Sequence, residues 1–454
     1  MKIVVCVRQG RDGEINPFDA SSYETALRIP NAEIILMSMG PISVKEFLLH
    51  LTRLGAKKAI LLSDKVFAGA DTLATAYTIS QAIEKLNPDL VICGRQTLEG
   101  DTGQTGPMLS SMLQLSLITN VTDVECVNPK LVCQTRDEGV QEVEYPALIT
   151  VERKNVLRLP SIRSRVGEVE VWSAADIGAD TSRTGLTGSP TRVLKTYENE
   201  SGKRKCKYIS LEELSWAIEQ GLKKERDKVV TVSDHRNCFE NTCIVGEKPR
   251  KFAEMISKNI TVLSLSDAQT IVKQIRDIKP RSVLWGSDSK SKRVAAQVAA
   301  ILGLGLCADC TFLEVENEEL MMYRPALSGS IMAKIRSCTL PAMATVRTAD
   351  NDVKDIFVTA GYGVKDELDK VVDFSKRIGA EMTATRKLVD HGYMPYESQV
   401  GLTGKTVSPP VYIAIGVSGA IHHIVGMQRA GTVIAINTDK NAPIFEYADY
   451  GIVL

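Results

Sequence analysis

A long internal repeat constrains this chain more than any other feature. The segment "PDLVICGRQTLEGDTGQTGPMLSSMLQLSL", starting at Pro88, is answered at Pro280 by "PRSVLWGSDSKSKRVAAQVAAILGLGL". Each copy reads as a proline, an apolar strand, a glycine, a polar loop, and a helix of small and apolar residues. Further on, "PALITVERK" at Pro146 is matched by "PAMATVRTA" at Pro341. The paired segments start 192 and 195 residues apart, far beyond the unit length of a solenoid, so the chain holds two copies of one domain. Duplicated domains pair across a pseudo-twofold axis as homodimers pair across a true one.

The local pattern gives the fold class. "MKIVVCV", "AEIILMSM", "KKAILLS" and "PDLVICG" are short apolar runs separated by helical segments, which predicts a parallel, doubly wound α/β sheet. Ser43-Val44-Lys45-Glu46 has the form of a capping box, and Asp71 or Thr72 is the expected cap of "ADTLATAYTISQAIEKLN". Between the copies, "ENESGKRKCKYIS" is polar and charged and reads as a linker. A different α/β unit starts near Val353, with "DIFVTAGYGV", the amphipathic "KDELDKVVDFSKRIGA", and the closing strands "GTVIAIN" and "GIVL". The expected division is a domain over 1–197, a linker over 198–206, the second copy over 207–349, and a C-terminal domain over 350–454, hinged near Thr348–Val353.

Composition excludes several classes. Lysine plus arginine equals aspartate plus glutamate, 55 against 55, and a general nucleic-acid binder normally carries a basic excess. The apolar run from Met1 to Val7 ends at Arg8, too early for a signal peptide, and no stretch is long enough to span a membrane. Ten cysteines lack a disulfide-like framework, which fits a reducing cytoplasm. Cys307 and Cys310 have C-x-x-C spacing, but without a second such pair or a histidine cluster they read as two buried apolar cysteines. No metal site is expected.

The chemistry concentrates in glycine-rich loops. Val411 to Ile415 reads as a buried strand, Gly416-Val417-Ser418-Gly419-Ala420 as a tight turn, and Ile421 to Met427 as a helix. A strand entering a helix through glycines leaves N–H groups and a positive dipole end for an anion such as phosphate. Gln399, Gly401, Thr403 and Gly404 form a second small polar loop. An ordinary structural turn is the alternative. A hydrolase elbow needs G-x-S-x-G, and Ala420 replaces the last glycine.

Taken in order, these motifs resemble electron transfer flavoproteins along nearly the whole chain. "INPFD", "MSMGP", "LGAKKAILLSD", "FAGADTLATAYT" and "GRQTLEGDTGQTGP" resemble the beta subunit. "RPALSGSIMAKI", "GYGV", "TATRKLVD", "QVGLTGKTVSPPVYIAIGVSGAIHH", "INTDKNAPIF" and "ADYG" resemble the alpha subunit. The resemblance implies a single chain equivalent to the heterodimer, carrying FAD in its C-terminal domain. It places Arg386 over the flavin ring, the Thr403 hydroxyl at its reactive nitrogen, and His423 near the pyrimidine edge, a satisfied core histidine being the alternative for His423. Thr385, Gln399, Val400, Gly401, Gly404, Ser418, Gly419, Ala420, Ile421, Asn437, Asp439 and Asp449 match further FAD-contacting positions. A cation near the N1–C2=O region favours an anionic reduced flavin.

Some positions depart from the family pattern. Tyr362 replaces an arginine, Leu402 and His422 replace glutamines, and the sequence stops at Leu454, so a phosphate or flavin-edge contact is expected to be lost.

The beta-type half is expected to hold AMP or a second FAD. Cys6, Met39 and Gly40 would border the adenosine. Asp71, Thr72, Asp101, Thr102, Gly103, Gln104 and Thr105 would line the cleft, with Asp101 and Thr102 capping the following helix as its N–H groups meet the phosphates. "GADTLAT" with "GDTGQTGP" resembles the flavin-bifurcating group, which implies NADH as a substrate. The implied partner is an acyl-CoA dehydrogenase-like protein or another flavin or iron–sulfur redox protein. It would dock on "RLPSIRSR", with Leu159 as anchor and Arg163 and Arg165 steering; a plain solvated basic strand end is the alternative for this segment. The competing readings are a conventional FAD/AMP electron carrier that does not oxidise NADH, and a nucleotide-binding regulatory protein that has lost redox function.

Overall fold

The structure, a computed structural model, describes residues 1–11, 13–127, 129–198, 203–226, 238–326, 331–347, 354–401, 404–405, 407–428 and 430–454. The expected hinge near Thr348–Val353 lies outside the described residues. They form two compact units, one from 1–197, 238–326 and 332–347, the other from 198–226 and 354–454.

The first unit contains both copies of the repeat. Its nine-stranded sheet runs, from edge to edge, Val140–Glu144, Lys130–Thr135, Ser116–Val127, Ala147–Val151, Leu90–Gly94, Lys2–Cys6, Glu33–Met39, Lys58–Leu62 and Glu168–Trp172. Its five-stranded sheet runs Ser257–Leu263, Phe239–Val245, Ser282–Gly286, Ala342–Val346 and Leu306–Cys310. Both sheets share one parallel five-strand order, in which the first strand in sequence lies between the second and the strand that opens the Pro88 or Pro280 segment. The likeness extends to detail. Asn120 and Asp309 both take positive φ in a bulged strand, and their N–H groups donate to Thr150 and Thr345 at 3.1 and 2.8 Å. A smaller four-stranded sheet of Thr191–Glu198, Ile331–Ser337, Glu319–Ala326 and Phe312–Glu316 completes this unit.

The copies meet through helices Thr105–Leu113 and Ser289–Leu302, whose small and apolar faces pack together. A single hydrophobic cluster runs through both halves, joining Val91, Met108 and Leu109 to Trp285, Val294 and Val298. A fully buried side chain of this kind contributes about 1.5–3 kcal/mol. Polar ties cross the same boundary. Arg293 pairs with Glu138 at 2.8 Å, and Gln104 Nε2 donates to the Leu306 carbonyl at 3.4 Å.

Helix starts follow the sequence in part. Asp71, Asp267 and Asp288 cap their helices through N–H groups three residues on, each at about 3.0 Å. Ser43 does not. It already has helical φ and ψ, so its hydroxyl makes no cap bond and the expected capping box is absent. Cys307 and Cys310 are both buried in the bulged strand.

The second unit is a six-stranded parallel sheet of Lys207–Tyr208, Tyr450–Val453, Thr432–Asn437, Val411–Ile415, Ile356–Ala360 and Glu381–Ala384. Residues 203–226, which the sequence divides between linker and second repeat, pack in this unit. The Lys207 N–H donates to the Asp449 carbonyl at 2.9 Å, and Ile209 to Gly451 at 2.9 Å. Arg204 bonds the carbonyls of Gln428, Ala430 and Gly431 and the carboxylate of Asp449. Helix Leu214–Arg226 lies against the sheet at Gly221, where a Cβ would fall 2.6 Å from Val411. Among the described residues no helix is long and apolar enough to cross a membrane, and no cluster suits a metal ion.

Candidate functional site

The parallel part of the nine-stranded sheet, whose Lys130–Thr135 and Val140–Glu144 edge is antiparallel, and the six-stranded sheet each reverse their strand order once on the way out from the first strand, and a crevice opens at the carboxyl ends there. In the second unit the reversal lies between Ile356–Ala360 and Val411–Ile415. Their following loops touch backbone to backbone. Gly361 N–H donates to the Ile415 carbonyl at 2.8 Å, Gly363 N–H to Gly416 at 3.3 Å, and a Cβ on Gly361 would lie 2.0 Å from the Gly416 oxygen. Gly416 and Gly419 hold φ of 64° and 89°, which glycine adopts without strain. Ser418, Ala420 and Ile421 stand exposed at the rim of this turn.

A second loop borders the same strand ends. Val400 N–H donates to the Ala384 carbonyl at 3.0 Å, and Lys405 N–H to Gln399 at 2.8 Å. A Cβ on Gly404 would fall 2.2 Å from the Gln399 oxygen, and one on Gly426 2.4 Å from the Gly401 nitrogen. The loop is thus closed against helix Ile421–Met427. Thr403, the expected partner of the flavin nitrogen, lies outside the described residues, as does Leu402.

His423 ties these parts together. Its Nδ1 is 3.1 Å from the Val400 carbonyl and its Nε2 3.0 Å from the Tyr412 hydroxyl, which accepts from Thr359 at 2.6 Å. With Nδ1–H donating to the carbonyl, Nε2 accepts from the tyrosine. Burial pushes the imidazole down to about 4, so it is neutral at neutral pH. Both ring nitrogens are engaged within the protein, and the side chain holds the Val400 loop against the sheet.

Thr385 follows the Glu381–Ala384 strand, its N–H donating to Ala360 at 2.9 Å. Arg386 is 40 % exposed in its side chain and pairs with Asp390 at 3.0 Å. Nearby, Lys387 lies 4.3 Å over the Tyr362 ring, which packs on His391. Asn437 donates to the Val417 carbonyl at 2.9 Å and accepts from Asp439 N–H at 3.0 Å. Asp449 is not brought to this group. It precedes the Tyr450–Val453 strand, at the amino end of the sheet, where it accepts from Arg204 and from Val433 N–H at 2.8 Å.

In the nine-stranded sheet the reversal lies between Lys2–Cys6 and Leu90–Gly94. Cys6, Met39 and Gly40 stand at neighbouring carboxyl ends, with Gly40 N–H donating to Leu62 at 3.1 Å. The helix that follows starts at Thr105, with Gln104 rather than Asp101 or Thr102 in the cap position. Asp101 takes φ of 50° and accepts from Gln96, while Gly103, at φ 63°, turns the chain beyond Thr102 into that helix. Burial and the nearby Asp309 raise the Asp101 carboxyl above its usual range. Both carboxylate oxygens of Asp71 have partners within the protein. One oxygen caps the helix starting at Thr72, and the other accepts from the N–H and hydroxyl of Thr191 at 2.9 and 2.6 Å.

Two groups beside this crevice escaped the sequence reading. Asn16 and Asp19 both come from "INPFD". Asp19 accepts from Arg8 N–H at 2.9 Å, and a Cβ on Gly94 would lie 2.2 Å from its oxygen. Burial pushes its carboxyl up to about 7. Asn16 Oδ1 and Gln104 Oε1 are buried without a partner among the described residues. Orphaned acceptors flanking a helix start and a tight glycine turn suit a polar ligand such as a nucleotide.

Comparison with known proteins agrees with this geometry. The chain matches the Electron transfer flavoprotein domain family over residues 3–177 and 259–365, and the Electron transfer flavoprotein FAD-binding domain over 352–428. It is 39 % identical over 202 residues to the Electron transfer flavoprotein subunit beta of Thermoanaerobacterium thermosaccharolyticum, covering 42 % of this chain and 78 % of that protein. It is 34 % identical over 232 residues to subunit alpha of the same organism, covering 41 % and 70 %. It is 36 % identical over 204 residues to the Caffeyl-CoA reductase-Etf complex subunit CarD of Acetobacterium woodii, covering 42 % and 78 %. The chain belongs to the electron transfer flavoprotein family, with a beta-type half, an alpha-type half and that family's FAD-binding domain joined in one polypeptide.

Proposed function

We propose that this chain carries electrons through two flavin sites, accepting them from NADH at the beta-type switch point and passing them through FAD in the C-terminal unit to a partner. One observation carries the reading: both units place tight glycine turns at a strand-order reversal, and in the first unit buried, unpartnered acceptors sit beside it. FAD, when bound, supplies reversible one- and two-electron transfer. The protein's own part is binding and electrostatics. In the C-terminal unit, Ser418–Ile421 would meet the pyrophosphate with backbone N–H groups, and Gln399–Gly404 would border the ring. Arg386 would supply positive charge, and neutral His423 would position the ring-side loop. In the beta-type half, Thr102–Thr105 would meet phosphate, and Asn16 and Gln104 would accept hydrogen bonds from the nucleotide.

Electrons would leave to a flavin or iron–sulfur protein, including the acyl-CoA dehydrogenase type, through the segment around Arg158–Arg165. There Val156, Leu159 and Ile162 are 86, 89 and 101 % exposed, an apolar trio unusual for a loop with nothing to contact. Arg158 is fastened to Glu24 by two bonds of 2.8 and 3.0 Å, which fixes the base of the segment. We assign the protein to the cytoplasm, since none of its ten cysteines forms a disulfide.

Anaerobic titration of the purified, flavin-loaded chain with NADH tests the reading. Bleaching of the visible flavin absorbance is expected. A chain that stays yellow with excess NADH is a conventional carrier fed by another flavoprotein.

A further inference from the structure

Cys6 and Cys93 are direct neighbours on adjacent parallel strands, in register with each other at the strand-order reversal of the nine-stranded sheet. In-register neighbours on paired strands point to the same face, and both side chains pack toward the same apolar cluster. Adjacent strands lie about 4.7–4.9 Å apart, inside the roughly 4.4–6.8 Å Cα separation that a disulfide spans. The pair is also asymmetric. Cys93 is buried, whereas Cys6 ends its strand and is partly exposed to the crevice. The remaining pairs lack one of these properties. Cys307 and Cys310 are both buried, and Cys133 is in register with Val124 rather than with the exposed Cys126.

We propose that Cys6 and Cys93 form an oxidisable dithiol that closes to a reversible disulfide in the floor of the beta-type crevice. The chemistry divides between them by access. Peroxide reaches Cys6, whose thiolate attacks one oxygen. The O–O bond breaks, and Cys6 becomes a sulfenic acid as the other oxygen leaves as water. The Cys93 sulfur then attacks the Cys6 sulfur and loses its proton, the S–O bond breaks, and a second water departs. Two thiols are oxidised by two electrons in total, and one peroxide is reduced to two waters. A hydrogen bond with Cys6, together with burial, holds the Cys93 thiol well above its usual range, so it serves as the resolving partner rather than the first nucleophile. The bridge would bind together the strand ends that border the crevice, making the chain's electron chemistry responsive to peroxide.

The full chain, treated with hydrogen peroxide, alkylated and digested, tests this by mass spectrometry. A Cys6–Cys93 cross-linked peptide that dithiothreitol removes is expected, with eight of the ten thiols still alkylated on unfolding. In Cys93→Ser, the sulfenic acid on Cys6 should persist and be trapped by dimedone. A phenylarsine oxide titration of the unsubstituted chain supplies a measurement independent of any variant's folding: one equivalent should protect both cysteines from alkylation. Peroxide that over-oxidises Cys6 while Cys93 remains a thiol, or a bridge mapped to another pair, overturns the proposal. Comparing Cys6 alkylation in the chain as purified and after its nucleotide has been stripped separates this from the nucleotide reading: an unchanged rate counts against a nucleotide in the crevice and leaves the bridge standing.

Discussion

Arg324, in the second copy of the repeat, donates from Nη2 to the backbone carbonyls of Gly100 and Asp101 in the first, at 2.8 and 3.2 Å. The guanidinium is buried, and its charge faces Asp101 and Asp309, the latter also paired with Lys292 at 2.7 Å. The loop that precedes the candidate phosphate-binding helix is thus held by a residue more than 200 positions away. Arg324→Met keeps bulk but removes the charge. Breaking one member of a buried charged network costs about 3–5 kcal/mol. Denaturant unfolding should show a loss of that order, together with weaker nucleotide retention in the beta-type half.

His423 makes an acid-sensitive joint. Its unfolded value lies near 6.5, and burial lowers the folded value to about 4. Between those values the unfolded state binds more protons. Stability from this residue is therefore fully present above about 6.5 and is lost as pH falls toward 4, with a slope of up to about 1.4 kcal/mol per pH unit. His423→Gln should flatten the acid limb of a stability profile between pH 6.5 and 4. An unchanged limb would assign it to other groups.

Arg386 is expected to set the potential of the C-terminal flavin. Removing a charge-assisted contact costs about 1.5–3 kcal/mol, or roughly 65–130 mV for a one-electron couple. Asp390 shares the Arg386 charge at 3.0 Å, so Asp390→Asn should shift the potential the opposite way. A redox titration of both variants should give a drop for Arg386→Ala and a rise for Asp390→Asn. Equal potentials in all three proteins would remove Arg386 from this role.

Leu159 and Ile162 should matter to partner transfer and not to folding. Both side chains are almost wholly in solvent, so Leu159→Ala and Ile162→Ala should leave unfolding midpoints unchanged. Interface anchors of this kind are worth 2 kcal/mol or more when truncated. Electron transfer to the physiological partner should slow at least about thirtyfold under limiting concentrations. An unaffected rate would show that docking occurs elsewhere.

Much of this architecture can be read from sequence because it rests on local pattern. The repeat, the parallel strands and the glycine turns each follow from short stretches such as "PDLVICG" and "GVSGA". Two departures from the pattern, at Asp71 and Arg204, share a physical cause: the partner of a polar side chain lies far along the chain. Asp71 reads as a nucleotide contact, yet half its carboxylate is committed to Thr191. Arg204 looks like a linker charge, yet it binds carbonyls more than 220 residues on. Asp449 sits in a family motif, but the strand direction puts it at the opposite end of the sheet from the glycine loops. Ser43 has the right neighbours for a cap, but its backbone has already turned helical.

The cofactor content of the freshly purified chain tests the central claim most directly. Acid release followed by chromatography would count FAD and AMP per polypeptide. Two FAD and no AMP per chain is the result the two-flavin account predicts. One FAD and one AMP per chain would contradict it, leaving a single-flavin carrier whose beta-type half holds a nucleotide only as a structural support.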